Sequence, residues 1–244
     1  MLAIKQDQAK SDALADKLNL PLEQNCSETP TILVGYQDDK LALFPVDSGP
    51  VYVDFVEGKL AHRRQFGGGK KQPLARAIGL SSKTTPSVID TTAGMGRDSF
   101  VLASLGCQVT MVERSAVVAA LLKDAIERAL HDPDVSFIAE RLSVVCADSV
   151  EYLADCETAD VIYLDPMYPE KRKSAAVKKD MRALQMLVGP DLDSHKLLEV
   201  ALDKAKHRVV VKRPKQAEVL TGKRPNTVIS SPNTRYDIYS ISAF

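Results

Sequence analysis

The feature that most constrains this chain begins at residue 86. From there strand-like segments alternate with helical patterns, and several strands close on an acidic residue. SVIDTTAG reads as a buried strand running into a turn, DSFVLASLG as a helix stopped by Gly106, and CQVTMVER as the next strand. SAVVAALLKDAIERAL is a longer amphipathic helix with Ser115 as its N-cap and Pro133 beyond its end. LSVVCADS, ADVIYLDP and HRVVVKRP supply three further strands, with helices expected around Val150 to Ala154 and Asp193 to Ala205. NTVISS and RYDIYSISAF close the chain as an antiparallel pair joined by SPN. Seven strands in this rhythm predict an α/β fold: a mostly parallel sheet covered on both faces.

The front of the chain reads differently. SDALADKLNL is a short helix, and TILVGY, KLALFPV and PVYVDFVEGKL are strand-like runs punctuated by Gly, Pro and Asp. Residues 1–65 therefore form a small α+β unit. HRRQFGGGKKQ marks its boundary, because three consecutive glycines cheaply hold no regular structure. Residues 66–85 are read as a basic, glycine-containing linker and 86–244 as the main domain.

Composition excludes other classes. With 45% apolar and 26% charged residues over 244 positions, the chain is neither collagen-like nor disordered, and it can bury a core without disulfides or metal. The longest apolar run, Ala116 to Leu122, is too short to cross a bilayer, and MLAIKQDQAKSD turns polar too soon for a secretory signal. A cytoplasmic protein is expected. Cys26, Cys107, Cys146 and Cys156 make no CxxC pair and have no His at ligand spacing, so reduced, mostly buried thiols and no metal are expected.

The 32 basic and 32 acidic residues cancel overall but not locally. Residues 1–60 carry a net −5 and residues 86–167 a net −9. Residues 61–85 carry +6, residues 168–182 +4, and residues 204–224 +7. Three basic blocks thus interrupt an acidic chain, either as solvated faces or as a converging surface.

Asp90-Thr-Thr-Ala-Gly94-Met-Gly96-Arg97-Asp98 lies between a strand and a helix. It matches a G-x-G-x-x-G loop except for Ser99 at the third glycine position. Such a match alone is weak. It is strengthened by Glu113, 23 positions past Asp90 at the end of the next strand, where a carboxylate can accept from a ribose diol. Asp148 and Asp165 then close the third and fourth strands. Four carboxylates along one sheet edge suit the ammonium and sulfonium of S-adenosylmethionine better than a nicotinamide dinucleotide with its pyrophosphate. On this reading Asp90 and Arg97 frame the amino-acid end, Glu113 the ribose and Asp148 the adenine amine.

Asp165-Pro166-Met167-Tyr168-Pro169 supplies the chemistry. A nucleobase amine is a poor nucleophile because its lone pair is delocalised into the ring. Acceptors aimed at its N–H protons restore sp³ character and orient the lone pair. The Asp165 carboxylate and the carbonyls of Asp165 and Pro166 can do this, while Tyr168 stacks on the base.

These residues resemble the class I, Rossmann-like methyltransferases that modify exocyclic amines, which usually carry a second proline where Met167 stands. More closely, VDFVEGKLAHRRQFGGG, DTTAGMGRDSFVLASLGC, VVAALL, YLDPMYP, KSAAVKKDMR, LVGPDLD, RVVVKRP and RYDIY together resemble the RsmJ family, from about residue 51 onward. That resemblance implies a bacterial small-subunit ribosomal RNA guanine-N2 methyltransferase acting on guanine 1516 of 16S rRNA. It places cofactor contacts on Arg97, Asp98, Glu113, Arg114, Asp148, Ser149 and Asp165, beside Asp90, Gly94 and Gly96 of the loop.

In such a sheet the segments after Asp165 and around Lys212 both leave the carboxyl edge, so the basic blocks are expected to rim the site. Arg63, Arg64, Lys70, Lys71, Lys171, Arg172, Lys173, Lys178, Lys179, Lys212 and Arg213 are the expected RNA contacts, with 16S rRNA or the small subunit as partner. His62 is read as a phosphate or backbone contact, Phe66 as a small hydrophobic anchor, and His131, His195 and His207 as structural. Two alternatives share these features: an amine methyltransferase acting on DNA or protein, and a non-catalytic RNA-binding assembly factor.

Overall fold

The computed structural model describes residues 1–5, 10–57, 69–167, 179–189, 191 and 193–244. Its main sheet has seven strands: β4 (Val88–Asp90), β5 (Val109–Glu113), β6 (Leu142–Cys146), β7 (Val161–Leu164), β8 (Arg208–Pro214), β9 (Thr227–Ser230) and β10 (Thr234–Ser240). They lie in the order β6-β5-β4-β7-β8-β10-β9. The strands from β6 to β8 run parallel, and β10 is antiparallel to both β8 and β9. The chain enters at the centre, winds outward through β5 and β6, then returns to β7 on the other side of β4. Loops leaving β4 and β7 diverge, and the crevice between them opens at the carboxyl ends of the strands.

Alternation along each strand explains why both faces are covered. Val88, Val161, Tyr163 and Val210 point to one face, where they join a core containing Leu121 and Leu122 of α4 (Ala116–Leu130) and Val101 and Leu102 of α3 (Arg97–Ser104). Ile89, Ile162, Leu164, Val209 and Val211 point to the other. There they meet Leu153 of α6 (Ser149–Asp155) and Leu197, Leu198 and Ala201 of α8 (Ser194–Lys204). α4 starts as expected: Ser115 Oγ accepts from Val118 N at 3.4 Å, and Val117, Val118, Leu121, Leu122, Ala125 and Ala129 form its buried face.

The smaller sheet holds β1 (Leu2–Ile4), β2 (Ile32–Gln37) and β3 (Lys40–Pro45), flanked by α1 (Ser11–Leu18). β1 pairs parallel to β2, and β2 antiparallel to β3. Its core is continuous with that of the large sheet, since Ile4, Val34 and Leu43 belong to the same buried cluster as Leu121 and Val161. Arg128 of α4 fastens the join, donating to the Val53 carbonyl and, at 2.9 Å, to Asp124.

Several local expectations change. The segment around Val51 is no strand over its described part: Val51 makes one isolated bridge to Leu43, while Val53 and Phe55 are buried by side-chain packing. Phe55 stacks on Phe100 with ring centroids 4.8 Å apart. The described part of the expected linker carries a short helix, α2 (Pro73–Ala77), which buries Leu74, Ala75 and Ala77. Two further helices were not read from the sequence, α5 (Ser136–Ala139) and α7 (Lys179–Val188). The cysteines are free, but only Cys107 is buried; Cys26 and Cys156 are half-buried and Cys146 is exposed. No helix among the described residues is long and apolar enough to cross a membrane.

Candidate active site

A cavity of about 1040 Å³ opens at the carboxyl ends of β4, β5, β7 and β8. Asp90, Glu113, Asp148 and Asp165, the four acidic strand ends, all line it. Gly94, Arg97, Asp98, Arg114, Ser149, Pro166, Lys212 and Arg213 line it too, and Met181, Leu184 and Val188 of α7 form an apolar wall. Glu113 and Asp165 thus share one unfilled space.

The loop after β4 is shaped by Asp90. Its Oδ1 accepts from Thr92 N at 3.1 Å and its Oδ2 from Ser99 Oγ at 2.5 Å. Ser99, the residue that breaks the glycine pattern, is therefore the partner of the buried carboxylate. Burial, with Asp98 and Asp165 nearby, pushes the Asp90 pKa up to about 7 against the hydrogen bonds that lower it. Gly94 has φ +50° and donates its N–H to Glu113 Oε2 at 3.1 Å. Gly96 serves packing instead: it does not line the cavity, and at φ +67° a Cβ there would sit 2.7 Å from Leu122 Cδ2.

Glu113 also accepts from Ser115 N, on Oε1 at 2.8 Å. Each oxygen keeps a second lone pair, so the carboxylate is fixed in place and still able to accept from a diol. Burial raises its pKa, only partly offset by these two N–H groups. Asp148 caps α6 through Oδ1, which accepts from Val150 N and Glu151 N at 2.9 and 3.1 Å. Ser149 Oγ donates to the Thr91 carbonyl at 2.6 Å, stitching α6 to the glycine loop.

A second group of charges sits at the tips of β7 and β8. Lys212 Nζ donates to Asp98 Oδ2 at 2.8 Å and to Asp165 Oδ2 at 2.7 Å. Tyr163 Oη donates to the same Asp98 oxygen at 2.7 Å, and Asp165 N donates to Thr92 Oγ1 at 2.6 Å. Burial raises the Asp165 pKa; Lys212 opposes this, whereas Asp98 and Asp191 add to it. Burial would lower the Lys212 pKa, but its two carboxylates outweigh that and hold it above the ordinary lysine value.

This corrects the expectation that Lys212 and Arg213 belong to an outer RNA-binding rim. Lys212 is spent inside the cavity between two carboxylates, and Arg213 is buried, donating to the Glu218 carbonyl. The strand pattern carried a hint: Lys212 falls two residues after Val210, on an inward face. Arg97 and Arg114 line the cavity while their guanidinium groups pair with Asp180 and, at 2.7 Å, with Asp191.

Lys70, Lys71 and Lys179 are exposed as expected, with Lys70 donating to the Ser81 carbonyl and Lys179 to that of Pro50. Tyr168, Arg63, Arg64, Lys171, Arg172, Lys173 and Lys178, with His62 and Phe66, lie outside the described residues. His131 Nδ1 lies 2.8 Å from the Glu127 carbonyl and His207 Nδ1 2.9 Å from Ser242 Oγ, both structural contacts. Among the described residues no His, Cys, Asp and Glu cluster is arranged to hold a metal. Thr92, Asp180 and Asp191 are not singled out by the sequence reading, although all three lie in segments that carry the family resemblance.

The cavity fits S-adenosylmethionine. Its volume is ample for a nucleoside-sized ligand, an anchored carboxylate faces it from β5, and further carboxylates offer a cationic ligand favourable surroundings. Comparison with known proteins agrees. Residues 13–241 match the family described as "Putative SAM-dependent methyltransferase". A "SAM-dependent methyltransferase" from Neisseria gonorrhoeae has a similar solved structure, with TM-score 0.75 and 32% identity over 98% of this chain and 96% of that one. Fold and site define a SAM-dependent methyltransferase.

Proteins called "Ribosomal RNA small subunit methyltransferase J" are more similar in sequence. The one from Hydrogenovibrio crunogenus is 55% identical, over 96% of this chain and 91% of its own length. That from Aeromonas hydrophila is 48% identical over 100% and 99% respectively. The chain belongs to the ribosomal RNA small subunit methyltransferase J family.

Proposed function

We propose that the protein methylates the exocyclic N2 amine of a guanine in 16S rRNA, guanine 1516 by family resemblance, in the cytoplasm. The observation that carries this reading is the shared cavity, which both the Asp165 turn and the Glu113 carboxylate line. The names of the relatives support small-subunit RNA as the substrate. Residues 86–244 would form the methyltransferase domain, with residues 1–65 an appended unit and 66–85 the connection.

When bound, S-adenosylmethionine supplies an electrophilic methyl carbon on a cationic sulfur. Glu113 would hold the ribose diol, Asp148 the adenine amine, and Gly94 with Ser149 the backbone around them. Asp165 and the Pro166 carbonyl would accept hydrogen bonds from the two protons of the target amine, directing its lone pair into the cavity. Lys212 opposes the burial that raises the Asp165 pKa, and so favours the anionic, hydrogen-bond-accepting form of that carboxylate. Thr92 fixes the near end of the turn through the Asp165 N–H. Tyr168 would stack on the extruded base.

Exposed Lys70, Lys71 and Lys179, with Arg63, Arg64, Lys171, Arg172, Lys173 and Lys178, would contact phosphates and orient the RNA. The test is direct. Ribosomal RNA from cells lacking the protein is digested and scanned by mass spectrometry for a lost N2-methylguanine, which purified protein and cofactor should restore. Unchanged methylation in those cells would overturn the reading.

A further inference from the structure

Pro166 has its φ restrained by its ring, but the next residue of the turn, Met167, brings a free torsion and an N–H that must find a partner. Both needs meet at one residue, Asp191. Met167 N donates to Asp191 Oδ2 at 2.6 Å, and Asp191 N donates back to the Met167 carbonyl at 3.0 Å. The other carboxylate oxygen of Asp191 forms an ion pair with Arg114 Nη2 at 2.7 Å. Arg114 directly follows Glu113 at the tip of β5. At the opposite end of the turn, Asp165 N is held by Thr92 Oγ1 at 2.6 Å. The turn from Asp165 to Met167 is thus pinned at both ends, and the Asp191 end is tied to the strand that carries Glu113.

From this geometry we infer that Asp191 is a positioning residue: its two-way clasp on Met167 sets the direction of the Asp165 and Pro166 acceptors. Through Arg114 it also fixes their distance from the Glu113 end of the cavity. The inference rests on the reading of the Asp165 turn as the amine-holding element. Asp191 touches neither reacting group on this assignment. Its effect is on orientation, where a misplacement of about 1 Å can cost on the order of 100-fold in rate.

The test compares D191A with the double variant D191A/M167P, because proline restores a restrained φ and has no N–H to leave unpaired. Single-turnover methyl transfer to small-subunit RNA at saturating cofactor should slow on the order of 100-fold in D191A. Binding of S-adenosylhomocysteine, followed by calorimetry, should change far less than the rate. The double variant should recover most of the lost rate. A double variant as slow as D191A, or a D191A as fast as the parent, overturns the inference.

A second readout needs no variant. In the parent, amide exchange at Met167 should be slow, and exchange at the rate of an unprotected loop also overturns the clasp. A parent inactive on RNA would instead strike the substrate reading, leaving the exchange measurement to judge Asp191.

Discussion

Lys212 Nζ, on β8, lies 2.7 Å from Asp165 Oδ2, just past the end of β7, and 2.8 Å from Asp98 Oδ2. One cation therefore pairs with two carboxylates in a cavity that Asp90 and Glu113 also line. Without it, burial and like charge would favour protonated Asp165, a group that donates where the proposed mechanism needs an acceptor.

Replacing Lys212 by Met should therefore slow methyl transfer at neutral pH on the order of 100-fold. Lys212 lowers the Asp165 pKa, so its removal raises that pKa, and the acid limb of the kcat profile should move to higher pH. Lys212→Arg should restore part of the rate. A pH–rate profile of K212M superimposable on the parent would show that Lys212 does not set the state of Asp165.

Glu113 is held by Gly94 N and Ser115 N, which leaves its second lone pairs for the proposed ribose contact. Glu113→Ala should weaken S-adenosylhomocysteine binding by roughly 1–3 kcal/mol, the cost of leaving polar groups unpaired. Titration calorimetry measures it, and unaltered affinity would remove Glu113 from the cofactor site.

Asp90 makes stability depend on pH. Its pKa rises from 3.8 in the unfolded chain to about 7 in the folded one, chiefly by burial. The folded state therefore binds more protons. The contribution is fully present below about pH 4 and is lost as pH climbs to about 7, then stays level. The swing corresponds to ~4 kcal/mol as an order of magnitude. Urea unfolding of the parent and of Asp90→Asn across this window should show the variant gaining relative stability as pH rises. Parallel stability curves would mean that Asp90 titrates normally.

Neutralising Lys178 and Lys179 together should weaken RNA binding and flatten its dependence on salt, because fewer counterions are released from phosphate. Cofactor affinity should hardly change, since Lys179 lies outside the cavity and reaches the Pro50 carbonyl instead. Filter binding over a range of salt concentrations reads the slope, and equal slopes for variant and parent would count against a phosphate-contacting rim.

The strand–helix rhythm from β4 to β10 was legible because alternation, capping and glycine turns are local patterns. So were the four acidic strand ends, which follow once the strands are parallel and in register. β1 and α2 were missed because a three-residue strand and a five-residue helix carry too little periodicity; only their burial shows them. Lys212 was misread as surface because its charge, taken alone, argues for solvent.

What the amino-acid order determined by itself is the doubly wound sheet and the edge on which its acidic tips gather, since short-range patterning dictates each element and parallel pairing aligns the ends. The tertiary structure alone decided which charges meet there. Asp191 lies 24 positions from Met167, and Lys212 lies 47 from Asp165 and 114 from Asp98. No periodic signal spans such separations. Folding brings these groups within 3 Å, and burial then selects the pairings, because a carboxylate or ammonium withdrawn from water must find an opposite charge or a hydrogen-bond partner.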